Sequence, residues 1–216
     1  ELRELYLSGE SSTLGLAYSV PLRRSRDLNV FLNLAYSSSS LENNLRGDVV
    51  SDYRVRSTSI GMSGNWRDQF GAGAFTSFGV SFATGSANGT GPEGEFDAAF
   101  SVVRFNAERQ QFLSDKTALF LGVSGQDGPQ GLDSSEEFSL GGPNAVRAYP
   151  VGEAGGPSGA VLNLEIRHQI HPNWSLAGFY DHGMVSGRDE PNEPDSYNIK
   201  GVGVALGWVG PNGWGA

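Results

Sequence analysis

The connections between strand-like segments alternate in length. Residues 21–26, 66–69, 113–115, 171–173 and 210–213 read as short turns rich in Pro, Asp, Asn and Arg. Between them lie longer stretches at 38–50, 85–95, 127–158 and 186–196, loaded with Ser, Asn, Gly, Asp and Glu. Only the brief connection at 9–11 breaks the rhythm. Successive hairpins of an up-and-down membrane barrel open on opposite sides, so short turns and long loops must alternate. A Greek-key sandwich has no reason to keep such a pattern.

The segments between these connections carry the side-chain period of a strand. Leu162, Leu164 and Ile166 share one face, while Asn163, Glu165, Arg167 and Gln169 share the other, because successive side chains of a strand point to opposite sides. Val30, Leu32, Leu34 and Tyr36 oppose Asn29, Asn33 and Ala35 in the same way, and Val202, Val204, Leu206 and Trp208 oppose glycines and an alanine. About ten strands, part of a larger barrel, are expected near 2–8, 12–20, 27–37, 51–65, 70–84, 96–112, 116–126, 159–170, 174–185 and 197–209. Most reach the ~9–11 residues a tilted membrane strand needs. The segment at 51–65 alternates poorly, since Arg54 and Arg56 share parity with Ile60 and Met62. The fold class is therefore all-β, an antiparallel up-and-down transmembrane barrel with one long inward-folding loop. Tyr36, Trp66, Phe112, Trp174, Phe179, Tyr180, Tyr197, Trp208 and Trp214 lie near strand ends, as interface girdles would.

Composition agrees. Charged residues make up 18% of the chain, below the ~25% of soluble domains. The mean hydropathy of −0.29 fits a barrel with a polar lumen, in which only every second residue must be apolar. A net charge of −9 argues against nucleic acid, which needs a basic surface. Cys is absent, which permits passage through an oxidising compartment. The first strand begins without lead-in and the last residues, Gly210–Ala216, are a turn followed by the start of something. Residues 1–216 thus read as one barrel region cut from a longer chain, with its final strands outside it.

The stretch 127–158 is too long for a mere connector, and loops of that length carry function or are disordered. Its Val146, Tyr149 and Val151 are apolar residues that a solvated linker does not need. The run from Leu140 to Ala154, Leu-Gly-Gly-Pro-Asn-Ala-Val-Arg-Ala-Tyr-Pro-Val-Gly-Glu-Ala, resembles the signature loop of two-partner secretion transporters. These are the haemolysin activation/secretion and filamentous-haemagglutinin transporter type, in the superfamily of the BamA assembly factor. The family core is V-R-G-[YF]; this chain carries Val146, Arg147, Ala148 and Tyr149, with Ala in place of Gly. A second family motif, F-x-D-x-G, matches Phe179, Asp181 and Gly183.

Strand parity aims Asp181 at the lumen, together with Ala177 and Phe179. An ionised carboxylate there favours a cation, and Arg offers a planar, permanently charged fork. Spacing alone leaves open that Arg147 sits in solvent and Asp181 meets only luminal water. The resemblance implies that they pair. Asn163, Glu165 and Arg167 are further candidate lumen groups by parity.

The resemblance implies an outer-membrane pore, set in lipid, that exports a large unfolded exoprotein of adhesin or haemolysin type. It also implies periplasmic POTRA modules that recognise the cargo and lie outside this chain. A BamA-type assembly factor and a passive porin are the alternatives. No catalytic residues, metal or cofactor are expected. The glycine-rich runs lack the Gly-Lys-Ser/Thr ending of a phosphate cradle, no serine sits in a Gly-x-Ser-x-Gly elbow, and His168, His171 and His182 lack converging ligands.

Overall fold

A computed structural model of the chain describes residues 7–187 and 195–210. Nine antiparallel strands form one sheet in which each strand pairs with its chain neighbour. They are β1 (Leu7–Arg24), β2 (Leu28–Leu45), β3 (Asp48–Asp68), β4 (Ala74–Gly91), β5 (Gly94–Ser114), β6 (Thr117–Asp127), β9 (Ser158–His171), β10 (Trp174–Ser186) and β11 (Ser196–Trp208). The excursion between β6 and β9 holds a short second sheet of β7 (Phe138–Leu140) and β8 (Ala154–Gly156). Among the described residues β1 and β11 each pair on one side only, so the sheet is open there.

The two faces invert the rule of soluble proteins. Val202, Val204 and Leu206 on β11 are 75%, 81% and 58% exposed, and Leu16, Leu34, Ile60, Phe82, Phe105, Leu121 and Ile166 continue the same exposed face across the sheet. The opposite face is lined by hydrogen-bonded amides and hydroxyls. Ser19 donates to Asn33 Oδ1 at 2.9 Å, Asn33 Nδ2 to Ser63 at 2.8 Å, and Asn29 Nδ2 to Asn65 Oδ1 at 3.1 Å. Apolar outside and polar inside is the arrangement of a transmembrane barrel.

Several expectations need correction. There is no connection at 9–11: Gly9, Glu10 and Ser11 pair with Asn43, Glu42 and Leu41 inside an unbroken β1. The two segments expected at 2–8 and 12–20 are thus one strand as far as the described residues reach, and among those residues the sheet holds nine strands, close to the number expected. Residues 2–6 of the proposed first strand lie outside the described residues, as do Trp214, residues 188–194 of the fourth loop and residues 211–213 of the last turn. The stretches 38–50 and 85–95 are mostly not loops. β2 runs on to Leu45 and β3 starts at Asp48, so the hairpin closes on Arg46 and Gly47 alone. Both have positive φ, 56° and 91°, as a tight two-residue hairpin turn demands. Likewise β4 and β5 meet across Pro92 and Glu93.

One physical cause explains these differences: polarity along the outer face reports depth, not secondary structure. Ser38, Ser40 and Glu42 pair as regular strand residues, but they lie beyond the apolar band, where the outer face meets water. The same cause explains the weak pattern of 51–65. Arg54 and Arg56 do face outward with Ile60 and Met62, only farther toward the hairpin tip.

Two aromatics leave the girdle. Phe179 and Tyr197 sit on the inner face against the loop residues Arg147 and Glu153. Trp174 and Trp208 lie side by side near the short turns with rings 6.4 Å apart, and Trp66 packs on Phe78 at 5.9 Å.

Replacing Leu121 by Arg, in the middle of the apolar band, is expected to lower the stability of the inserted protein by ~2–4 kcal/mol. Ser12→Arg on the same face, above the band, should change it by less than ~1 kcal/mol. Urea titration of folding into lipid vesicles measures both.

Candidate functional site

Three strands and one loop build the site. Register sets Asp181 of β10 beside Asn163 of β9, Phe179 beside Glu165, and Gly183 beside Val161. A period of two turns all of them to the lumen face. From the far end, the loop between β6 and β9 folds back over them.

Its path depends on glycine. Gly141 and Gly142 have φ of 84° and 92°, and a Cβ on Gly141 would meet the Pro150 carbonyl at 2.1 Å. That close approach lets Gly142 N–H donate to the Tyr149 carbonyl at 2.8 Å, while Tyr149 N–H donates to Val146 O at 3.1 Å. Val146, Arg147, Ala148 and Tyr149 therefore form a closed turn that presents the guanidinium.

Arg147 grips Asp181 with both edges of its fork. Nε donates to Oδ2 and Nη2 to Oδ1, each at 2.8 Å, and the backbone N–H of Arg147 adds a third bond to Oδ2 at 3.1 Å. Asn163 Nδ2 donates to Oδ1 at 2.8 Å and to the Ala145 carbonyl at 2.7 Å, tying strand, carboxylate and loop together. The remaining arm of Arg147, Nη1, pairs with Glu165 Oε2, and Arg167 Nε pairs with Oε1 of the same Glu165. Asp181 is 0% exposed and Glu165 6%. Buried carboxylates of this kind persist only when paired and hydrogen-bonded. The guanidinium also lies 3.8 Å above the Phe179 ring centroid, a cation–π stack that Lys could not copy in shape.

An apolar cluster seats the loop beside the charges. Leu140, Val146 and Ala154 of the loop bury against Val161, Val185 and Ile199 of the wall, with Tyr149 and Tyr197 at the margin. Small residues make room for it. A Cβ on Gly183 would stand 2.8 Å from Leu140 and 2.9 Å from Val146, and one on Gly201 would stand 2.9 Å from Ala148. Gly203 clears the Phe179 ring, whose Cζ would otherwise lie 2.4 Å from a Cβ. The glycine of the second motif is thus a contact surface for the first.

All the residues expected from the sequence meet here: Val146, Arg147, Ala148 and Tyr149 from the loop, Phe179, Asp181 and Gly183 from β10, and Asn163, Glu165 and Arg167 from β9. Sequence reasoning missed a second anchor. Arg104 of β5 donates to Gln126 Oε1 at 2.8 Å and to Glu136 Oε2 at 2.6 Å, and Gln126 Nε2 donates to the carbonyls of Glu136 and Pro157. Parity marks Arg104 as luminal, but nothing in the sequence selects Glu136 over Asp133, Glu137 or Glu153 as its partner. His168 pairs with Thr117 Oγ1 at 2.9 Å, and no metal-binding group of His, Asp and Glu occurs among the described residues. The arrangement holds the loop against the polar inner face of the sheet. A cleft of about 350 Å³ beside it, between Arg147, Glu165, Arg167 and Glu108, remains open.

Comparison with known proteins identifies the family and the fold. Residues 1–210 match the family model for haemolysin secretion/activation proteins ShlB/FhaC/HecB. The chain belongs to this family. It is 25% identical over 196 residues to the heme/hemopexin transporter protein HuxB of Haemophilus influenzae, covering 84% of this chain and 34% of that one. The chain thus spans about a third of the length of such relatives. Its fold matches CdiB from Escherichia coli with a TM-score of 0.75 at 18% identity, over 93% of this chain and 39% of that structure. CdiB from Acinetobacter baumannii gives 0.70 at 20% identity, over 95% and 37%. Members of this family are bacterial outer-membrane barrels, and the exposed apolar band accords with that location.

Arg147→Ala leaves Asp181 buried without its cation and should destabilise loop seating by ~3–5 kcal/mol. Limited proteolysis within residues 128–157 should then be fast, whereas the unchanged protein should resist. Gly183→Val should release the loop as well, by steric collision with Leu140 and Val146 and with every charge retained.

Proposed function

We propose that this chain is the pore-forming barrel region of a longer transporter that exports a large unfolded exoprotein across the outer membrane by two-partner secretion. The outer band of Leu, Val and Phe sits in lipid, and the Ser- and Asn-lined inner face forms the wall of an aqueous passage. The observation that carries the reading is the clamp of Arg147 on Asp181 inside that wall. It holds a loop across the passage by contacts that water can replace. In this reading the pair keeps the loop in a conduction-competent position, with Glu165, Arg167 and Asn163 orienting it. No reaction is assigned to the chain, and it acts as a conduit rather than an enzyme. The periplasm supplies no nucleotide, so stepwise folding of the cargo outside the cell drives movement. POTRA modules elsewhere in the full protein select the cargo, which is of adhesin or haemolysin type. The family match over residues 1–210 favours this branch over a BamA-type assembly factor.

The test is export by the full-length transporter carrying Arg147→Ala or Asp181→Ala. Secretion should fall at least ~tenfold, as expected for the loss of ~1.4 kcal/mol or more of seating energy, while heat-modifiable migration shows that the barrel still inserts. Unchanged export accompanied only by altered ion conductance would favour a passive porin.

A further inference from the structure

The outer face turns cationic where the apolar band ends. On β3 the outward column runs Trp66, Gly64, Met62, Ile60 and Thr58, and then Arg56 and Arg54. Trp66, packed on Phe78, marks the edge of the band near the short turns. Arg56 lies ten residues from Trp66 along the strand. At a rise of ~3.3 Å per residue and a tilt of ~40° this spans about 25 Å of height, the thickness of a barrel's apolar band. Arg56 and Arg54 therefore stand at the opposite edge, on the side of the long loops, which faces out of the cell. Tyr36 of β2, opposite Thr58, is an aromatic residue of that edge.

Both guanidiniums lack what other arginines of the wall have. Near the short turns on the same outer face, Arg109 binds Asp68 through both Nη atoms, at 2.8 and 3.2 Å. On the inner face Arg104 and Arg167 each hold a carboxylate. Arg54 donates from Nε to Ser40 Oγ at 3.2 Å, yet neither Arg54 nor Arg56 forms an ion pair among the described residues. Both are exposed. Register sets Ser38 and Ser86 on either side of Arg56, and Ser40 and Asn88 on either side of Arg54. These short neighbours leave the two forks reachable and offer further donors. The next row outward is acidic, with Asp52 opposite Glu42, and Asp97 lies beyond Asn88 on β5. An anion is thus accepted at the arginine row and repelled above it.

We propose that Arg54 and Arg56 form a seat for the phosphate headgroup of an anionic lipid in the outer leaflet. This rests on the lipid-facing reading of the apolar band and not on export. Two planar, permanently charged forks match the oxygens of a phosphate, and they stand unpaired in a chain whose net charge is −9. Directly below them the outward face is apolar, with Leu34, Ile60 and Phe82 in one exposed row. A soluble anion meets only the charge, whereas a lipid meets the charge with its headgroup and the apolar row with its acyl chains. A phosphate held there fixes the depth of β3 in the membrane and keeps the tips of the tall hairpins in water.

The test uses the full-length transporter in nanodiscs of phosphatidylcholine with a minor share of phosphatidic acid of the same acyl chains. A photo-crosslinking amino acid is placed at outward Thr84, one row below Ser86, or at Phe78 near the opposite rim, and captured lipid is identified by mass spectrometry. Phosphatidic acid should be captured at Thr84 severalfold above its share of the bilayer, and at Phe78 close to that share. Arg54→Gln with Arg56→Gln should bring Thr84 down to the share, Arg54→Lys with Arg56→Lys should retain part of the excess, and inorganic phosphate should not compete. Heat-modifiable migration shows that each variant is folded. Capture at the bulk share in the unchanged protein, equal excess at both rims, or an excess that survives the Gln pair overturns the seat. Loss of the excess to inorganic phosphate overturns it as well, by making this a site for a soluble anion, and crosslinks to a second transporter overturn it by making the face an interface between copies. Lipid captured at neither position counts against the lipid-facing reading itself.

Discussion

Hydrocarbon supplies no hydrogen-bond partner, so every backbone N–H and C=O within the apolar band must be paired inside the sheet. The rest of the molecule follows from that demand. Pairing runs between chain neighbours without a crossover, which fixes the up-and-down order and puts all hairpin tips of one kind at one end. Once the sheet is fixed, the pleat divides each strand into an outer and an inner set, and the outer set alone must be apolar. The inner set is free to carry chemistry, and this chain uses that freedom unevenly. β1 to β3 line the inner face with Ser and Asn side chains hydrogen-bonded to one another, while β5, β9 and β10 carry the charges that meet the loop.

Seating the loop requires agreement between charge and shape. Arg147 alone would not reach Asp181 at this geometry if Gly183 or Gly201 carried a side chain, because Val146 and Ala148 flank the guanidinium and pack where those side chains would stand. Conversely, the apolar cluster alone would leave a fully buried carboxylate with only the Asn163 amide and the backbone N–H of residue 147 as donors, and no cation. The two motifs are read thirty-four residues apart, yet each supplies what the other lacks: the loop brings the cation and the branched side chain, and the strand brings the anion and the clearance.

How far this was legible in the sequence depends on what kind of signal each feature leaves. The faces of β9, β10 and β11 were readable because their outer residues stay within the apolar band and alternate cleanly. β1, β2 and β4 were cut short because their ends pass into water, where the outer column turns to Ser, Glu and Asn and looks like loop. A polar run in a soluble protein marks a turn; in a barrel strand it marks a change of solvent. At the site, the resemblance singled out Arg147 and Asp181, and parity aimed Asp181 inward. The Arg104–Glu136 anchor lay hidden, since it joins a loop residue to a wall residue with no spacing rule between them.

The charge network is unequal in its two halves, and that sets what loop withdrawal entails. Two arginines face two carboxylates, so the group is neutral as it stands. Arg167 belongs to the wall, is largely exposed and holds one oxygen of Glu165 independently of the loop. When Arg147 leaves, Glu165 therefore keeps a cation, whereas Asp181 keeps only the Asn163 amide. The free-energy cost of withdrawal thus concentrates on a single carboxylate. Water entering the vacated space, already continuous with an open cleft, rehydrates that carboxylate and offsets part of the cost. A clamp built on one ion pair at the edge of an aqueous cleft is strong while dry and weak once wetted. In the proposed pore, those properties keep the loop seated on the wall in its conduction-competent position and still let it shift beside a passing chain.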